Sequence, residues 1–470
     1  MTLIRSISGI RGTIGGNPGD GLTPVDIVNY TSAFATLIKK QDPDKKISIV
    51  IGRDARVSGT MVEHLVTGTL LAMGVDVINL ELSTTPTVEI AVVDLNADGG
   101  IIITASHNPR QWNALKLLNN KGEFISAAQG NELIELAESK NISFAEVNQL
   151  GQYRIEENYI QKHIDKILAL PLVDVNDIKN AGFRIVVDAV NSTGGIALPL
   201  LLQQLGVKEV IELYCEANGN FPHDPEPLPQ NLSEISDKVS KSDAHLGLVV
   251  DPDVDRLAII DENGNMFGEE YTLVAVADYV LQHTKGNTVS NLSSSKALQI
   301  VTEKHGGKYY ASAVGEVNVV EMMKLKQAVI GGEGNGGVIY PELHYGRDAL
   351  TGTALFLTHL AKSGKSCSVL RATYPDLHIS KNKIQLSPEI DIDEILNKIK
   401  QQYAKHPINT VDGVRIELEN DWVHLRKSNT EPVIRIYAES DSPHKADVIA
   451  RKLLDDIRKI IKEESDTTLN

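Results

Sequence analysis

Short apolar runs recur through the first part of the chain: ISIVIG at 47–52, VDVINL at 75–80 and GGIIIT at 99–104. Each is too short for a helix, rich in β-branched residues and bounded by glycine or polar positions, which predicts strands buried on both faces of a parallel sheet. Between them the apolar positions shift to helical spacing, as in NELIELAESK at 131–140. Residues 1–152 therefore read as βαβ units of one α/β domain.

The same cycle repeats. A strand runs into a glycine turn and an apolar helix in FRIVVDAVNSTGG–IALPLLLQQLG at 183–206, and the cycle closes at HLGLVVDPDVDR, residues 245–256. A third cycle runs from Asp261 to Gly364. These cycles predict domains at 153–256 and 257–370, with room for a diverged internal repeat. TYPDLHISKNK at 373–383 has a proline and little periodicity and is expected to be a linker, so a smaller last domain occupies 371–470. Its final helix has Ser442 as cap, Pro443 at the first position and Ile449, Leu453, Ile457 and Ile460 at helical spacing, before a tail expected to fray.

Composition narrows the partners. A formal net charge of −16 opposes binding to nucleic acid, which needs a basic face. No run approaches the ~20 apolar residues of a membrane span, the start MTLIRSISGIRG lacks a signal-peptide core, and two cysteines, Cys215 and Cys367, are too few for a disulfide framework. A cytoplasmic protein is expected.

Ser106, in TASHNP, follows a buried-type strand directly, where open α/β folds bind ligands. Ser106 and Asn108 could simply make turn bonds before Pro109. A hydrolase triad is disfavoured: the G-x-S-x-G elbow is absent, and in an extended segment His107 would point away from Ser106. An unactivated hydroxyl still suits phosphoryl transfer, where positioning and charge neutralisation dominate.

That chemistry needs a cation, and LGLVVDPDVDR places Asp251, Asp253 and Asp255 at every second position after an apolar strand. Three hard oxygen donors suit Mg²⁺, and crowding them without a cation is costly. An EF-hand is excluded because Arg256 stands where that loop needs glycine. A phosphatase using Asp251 as nucleophile, from its strand-D-x-D pattern, stays open.

The run Gly332-Glu333-Gly334-Asn335-Gly336-Gly337 spells G-x-G-x-x-G but continues into VIYPE rather than a helix, which rejects dinucleotide binding. Glu333 and Asn335 there suit sugar hydroxyls, with a plain glycine turn as the alternative. SGKS at 363–366 is a surface turn. RKSNTEPVIR gathers Arg426, Ser428, Asn429, Thr430 and Arg435, a phosphate receptor in composition or a hairpin turn with two solvated cations.

Taken in order, SGIRG, GRDARVS, TTPT, TASHNP, the lysine of NALK, FPHDPEPLPQNL, DPDVDR, GGEGNGG and RKSNTEP resemble the α-D-phosphohexomutase family along the whole chain. The resemblance implies three similar mixed α/β domains plus a smaller C-terminal α+β domain around a central cleft, carrying in turn the phosphoserine, the metal loop, the sugar loop and a phosphate-binding loop. It implies that Ser106 carries a phosphoryl group, that Mg²⁺ is held by phosphorylated Ser106 with Asp251, Asp253 and Asp255, and that a hexose 1,6-bisphosphate is the intermediate and activator. Arg11, His107, Lys116 and Arg256 would serve the transferring group; Glu333 and Asn335 the sugar; Arg426, Ser428, Asn429, Thr430 and Arg435 the other phosphate. Sugar phosphates are the implied ligands, and a monomer or homodimer the implied state. The chain departs from many relatives at Ala114, Ala313 and Gly337, the last removing a histidine base from the sugar loop. Its N-G-G form is similar to the branch assigned to phosphoglucosamine, with glucose and mannose phosphates as the other substrates.

Overall fold

The apolar runs at 47–52, 75–80 and 99–104 become the centre of the first sheet in the computed structural model, which describes residues 2–6, 9–139, 142–387, 390–427 and 433–468. That sheet comprises β1 (Ile4–Ser6), β2 (Gly9–Thr13), β3 (Ser48–Arg53), β4 (Asp76–Leu82), β5 (Gly99–Ile103), β6 (Trp112–Leu118) and β7 (Tyr153–Ile155), in the order β1-β2-β6-β5-β3-β4-β7. The second holds β8 (Arg184–Asp188), β9 (Glu209–Leu213), β10 (Leu246–Val250) and β11 (Leu257–Asp261), in the order β11-β10-β8-β9. The third holds β12 (Asn287–Asn291), β13 (Tyr309–Ser312), β14 (Ala328–Glu333) and β15 (Gly337–Ile339), in the order β13-β12-β14-β15.

The three units share one topology. In each, a first strand lies between the second and third, all parallel, and a fourth strand returns antiparallel beside the third. The turn from third to fourth strand leaves the carboxyl end of a parallel strand, where ligands of such sheets bind. Those turns are residues 104–111, 251–256 and 334–336: the serine loop, the aspartate loop and the sugar loop occupy equivalent places. The internal repeat left open by the sequence is thus a repeat of strand order.

Two expected divisions fall inside sheets. β7 pairs with β4, so the first unit passes residue 152, and β11 pairs with β10, so the second passes residue 256. A six-residue loop between β10 and β11 reverses the chain onto its own neighbour, which fixes β11 in that sheet.

The last unit is an antiparallel sheet, β16-β20-β19-β18-β17, of β16 (His378–Gln385), β17 (Ile408–Asn409), β18 (Val414–Leu418), β19 (Asp421–Lys427) and β20 (Val433–Ser440). The expected linker at 373–383 is therefore corrected: only Thr373–Leu377 connects, and His378–Lys383 belongs to an edge strand. Lys381 and Lys383 on that edge are the charges that keep exposed strands from pairing with other chains. Against this sheet packs the helix Pro443–Thr468, which buries Ala446, Ala450, Leu453, Ile457 and Ile460. The second and third units share one apolar core, with Leu198 and Leu248 in the same cluster as Leu273, Ile330 and Leu355. Among the described residues no helix is long and apolar enough to cross a membrane.

Candidate active site

Ser106 ends the apolar run of β5 with a backbone φ of +48°, a left-handed conformation uncommon for a side chain with Cβ. Local bonds hold it there. Its amide donates to Thr104 Oγ1 at 2.9 Å, and the Thr104 hydroxyl donates to Asp54 Oδ2 at 2.6 Å. Buried Arg56 spans the loop from beneath, with Nε on Asp54 Oδ2 (3.0 Å), Nη1 on the carbonyls of Pro109 (2.9 Å) and Trp112 (3.1 Å), and Nη2 on those of Ser106 and Asn108. Because this turn is not extended, His107 does not point away as the alternation rule predicts: its Nδ1 lies 3.3 Å from Ser106 Oγ.

The serine hydroxyl donates to Asp251 Oδ2 at 2.8 Å, across the boundary between the first two units. Asp251, Asp253 and Asp255 are all fully buried. The amides of Asp255 (3.1 Å) and Arg256 (3.2 Å) both donate to Asp251 Oδ1, and this tight curl places Val254 at φ +64°. Lys116 Nζ reaches Asp253 Oδ2 (2.6 Å) and Asp255 Oδ2 (3.1 Å), Arg347 Nη2 reaches Asp255 Oδ2 (2.7 Å), and both the hydroxyl and the amide of Thr85 hold Asp253. Burial and the charges of Asp255 and Asp253 push Asp251 well above the usual carboxylate range. Burial opposes the charges of Asp255 and Lys116 too, but Arg347 and Lys116 outweigh it at Asp255, and Asp253 and Asp255 outweigh it at Lys116.

These residues fit a hard divalent cation. The three carboxylates offer oxygens within 4.8 Å of one another, and Asp253 Oδ1 and Asp255 Oδ1 are buried without a hydrogen-bond partner among the described residues. Orphaned buried oxygens beside the fixed Lys116 ammonium and Arg347 guanidinium are groups that a bound Mg²⁺ would satisfy.

Further cations face the same region. Arg11 on β2 and Arg256 at the end of the aspartate loop each have a buried Nε without a hydrogen-bond partner among the described residues, and Arg256 Nε stands 3.9 Å from Asp255 Oδ1. Burial, then Arg435 and Arg256, lower the Arg11 guanidinium, so Arg435 of the fourth unit and Arg11 of the first sense one another. Burial, with Arg256 next, holds the His107 imidazole well below its ordinary value, leaving it neutral at pH 7.

In the sugar loop, Glu333 is anchored rather than projecting. Its Oε1 accepts from Asn291 Nδ2 (2.8 Å) and the Gly315 amide (3.1 Å), and its Oε2 from Arg347 Nη1 (2.9 Å). Asn335 Oδ1 accepts from the Gly337 amide at 3.2 Å, within its own turn. Arg426 and Arg435 are cross-strand partners on β19 and β20, with Arg426 Nε 3.6 Å from Asp412 Oδ2. Ser428, Asn429 and Thr430 lie outside the described residues. Sequence reasoning did not single out Arg56, Thr85 or Arg347 individually. Arg56 and Thr85 sit in stretches it quoted, GRDARVS and TTPT, whereas Arg347 has no local signal because its partners Asp255, Glu316 and Glu333 come from elsewhere in the chain.

Four consecutive stretches match the phosphoglucomutase/phosphomannomutase family: alpha/beta/alpha domain I over residues 3–143, domain II over 161–264, domain III over 268–377 and the C-terminal domain over 386–456. The chain belongs to this family, and is thereby a phosphohexomutase, an isomerase. It is 36% identical over 441 residues to a phosphoglucomutase/phosphomannomutase of Thermococcus kodakarensis, covering 93% of this chain and 95% of that one. It is 30% identical over 459 residues to a probable phosphoglucosamine mutase of Methanopyrus kandleri, covering 97% and 98%. Among solved structures, a phosphoglucomutase/phosphomannomutase family protein from Burkholderia thailandensis superposes with a TM-score of 0.83 at 26% identity, covering 98% of each chain.

Proposed function

We propose that the protein interconverts hexose 6-phosphate and hexose 1-phosphate by passing a phosphoryl group between Ser106 and the sugar, with glucosamine phosphate as its preferred substrate. The observation that carries the reading is the 2.8 Å hydrogen bond from Ser106 Oγ to Asp251 Oδ2, which sets the acceptor hydroxyl against a buried carboxylate loop and a ring of cations. Mg²⁺ held by Asp251, Asp253 and Asp255 would neutralise charge on the phosphoryl oxygens.

In the forward half-reaction the P–Oγ bond of phosphorylated Ser106 breaks as a sugar hydroxyl oxygen bonds to phosphorus, giving a 1,6-bisphosphate. The proton set free ends on Ser106 Oγ, where Asp251 and neutral His107 hold it. Lys116, Arg256 and Arg11 counter the charge that spreads over the transferring oxygens. Glu333 and Asn335 orient sugar hydroxyls, and Arg426, Arg435 and the segment 428–430 hold the second phosphate. Turning the bisphosphate over presents its other phosphate to Ser106, and the same groups run the step in reverse.

The glucosamine preference rests on the N-G-G sugar loop and on the name of the Methanopyrus relative; glucose or mannose phosphates are the alternative. A comparison of kcat/KM for glucosamine, glucose and mannose 1-phosphates, each primed with its bisphosphate, decides between them. In this reading the enzyme works in the cytoplasm as a monomer or homodimer, and its net charge of −16 disfavours a nucleic-acid partner.

The test of the phosphoryl carrier is chemical. Labelled glucose 1,6-bisphosphate with Mg²⁺ should leave a hydroxylamine-resistant label on the Ser106 peptide that Ser106→Ala abolishes and chelation prevents. A hydroxylamine-labile label on Asp251 that persists in Ser106→Ala would make the aspartate the nucleophile and overturn the reading.

A further inference from the structure

A second convergence of side chains lies away from the serine, where the first three units meet. His163, on the helix Tyr159–Leu168, has Nε2 3.0 Å from Asp348 Oδ2, and His344 Nε2 is 3.4 Å from the same oxygen. The three residues offer ligand atoms within 4.8 Å of one another. In a tetrahedral site with 2.0–2.1 Å bonds, neighbouring ligands are separated by roughly 3.3–3.4 Å, close to the two distances seen here.

Asp348 splits its two oxygens between tasks. Oδ1 caps the helix Ala349–Ser363, accepting the amides of Leu350 (2.9 Å) and Thr351 (3.1 Å), while Oδ2 turns to the imidazoles and the Thr351 hydroxyl. Each imidazole also meets an oxygen on its far nitrogen. His163 Nδ1 lies 2.9 Å from Thr87 Oγ1, and His344 Nδ1 lies 3.3 Å from Glu89 Oε2. A histidine that binds metal through Nε2 commonly donates its Nδ1–H to such an outer oxygen, which fixes tautomer and ring orientation.

A second observation points to a ligand. Glu89 is 1% exposed, yet neither carboxylate oxygen has a hydrogen-bond partner among the described residues, and the same holds for His344 Nδ1. Both Nε2 atoms face Asp348 Oδ2, so a metal bound on that side would leave the His344 Nδ1–H turned to Glu89 Oε2.

We propose that His163, His344 and Asp348 form a binding site for a divalent transition metal of the Zn²⁺ class, with Thr87 and Glu89 supporting the two imidazoles, and that this ion pins the first three units together. Two imidazoles and one carboxylate are softer than the all-oxygen aspartate loop, so Zn²⁺ and Mg²⁺ sort to different places. His344 is partly exposed, which leaves a way in for the ion and a position for water as fourth ligand.

The test measures metal, not turnover. Full-length protein stripped with chelator and dialysed against Zn²⁺ in excess Mg²⁺ should retain one equivalent of zinc, unfold at a higher temperature than the stripped form, and give visible absorption bands of a histidine-bound ion when Co²⁺ replaces zinc. His344→Asn should lose the zinc and the thermal gain, whereas Asp253→Asn should keep both. Since His344→Asn could fold poorly, Glu89→Gln serves as the second variant: it keeps shape and should weaken zinc binding about 10–100-fold. Zinc retained in His344→Asn, zinc lost in Asp253→Asn, unchanged affinity in Glu89→Gln, or no zinc on the wild-type protein would each overturn the proposal.

Discussion

Arg347 Nη2 lies 2.7 Å from Asp255 Oδ2, so the third unit reaches into the aspartate loop of the second. The same guanidinium reaches Glu333 Oε2 through Nη1 (2.9 Å) and Glu316 Oε2 through Nε (3.0 Å), joining the aspartate and sugar loops through one planar group.

Removing that group takes one shared cation away from three buried carboxylates. Arg347→Met is expected to cost about 3–5 kcal/mol of stability, the usual cost of breaking a buried ion pair, measured by denaturant unfolding. Arg347→Lys should recover only part, since an ammonium cannot serve three carboxylates in a planar fork. Full recovery by lysine would reduce the role of Arg347 to charge alone.

Arg56 acts on position rather than on substrate. It binds the carbonyls of Ser106, Asn108, Pro109 and Trp112 from below, so Arg56→Lys should let the serine loop shift. A displacement near 1 Å at a reacting atom costs on the order of 100-fold. Steady-state kinetics should show kcat falling by that order while KM for the sugar phosphate stays within a few fold.

Arg426 is expected to behave oppositely. Among the described residues its partly buried Nε has no hydrogen-bond partner, and Asp412 Oδ2 lies 3.6 Å from it, which suits it to an incoming phosphate. Arg426→Ala should weaken substrate and transition state together by ~1.5–3 kcal/mol, raising KM more than it lowers kcat. A normal KM with a lowered kcat would move Arg426 to the chemical step.

Acid should loosen the fourth unit through His424. Its Nδ1 lies 3.0 Å from Ser293 Oγ of the third unit and its Nε2 bonds the Asp412 carbonyl, and burial, with Arg415 and Arg426 adding to it, holds the imidazole at about 4 against an ordinary 6.5. Above pH 6.5 both folded and unfolded chains carry it neutral. Between pH 6.5 and 4 the unfolded chain takes up a proton that the folded chain refuses, so stability falls by up to about 3 kcal/mol across that window. Melting temperature against pH should show the drop, and His424→Gln should flatten it.

How much of this could be read in the sequence depended on distance along the chain. Ser106 and the three aspartates stand in compact motifs at strand ends, so residue type and spacing drew attention to them. The apolar runs 47–52, 75–80 and 99–104 declared buried strands because both faces are apolar. His378–Gln385 was missed because an edge strand keeps one polar rim and breaks the alternation with lysines. His107 was misdirected because the rule of alternating faces fails at the left-handed turn of Ser106. Arg347 was invisible for a plainer reason: it lies 92 residues from Asp255, and no local pattern encodes a partner that only the assembled units supply.

That separation also sets a clock during synthesis. At roughly 5–20 residues per second, the ribosome adds Arg347 about 5–18 seconds after Asp255. Through that interval the nascent second unit carries its three aspartates with Lys116 already made but Arg347 still to come. Completion of the aspartate loop therefore waits on the emergence of the third unit, and a transcript truncated between residues 261 and 346 would release a chain whose most acidic turn lacks its guanidinium counterweight.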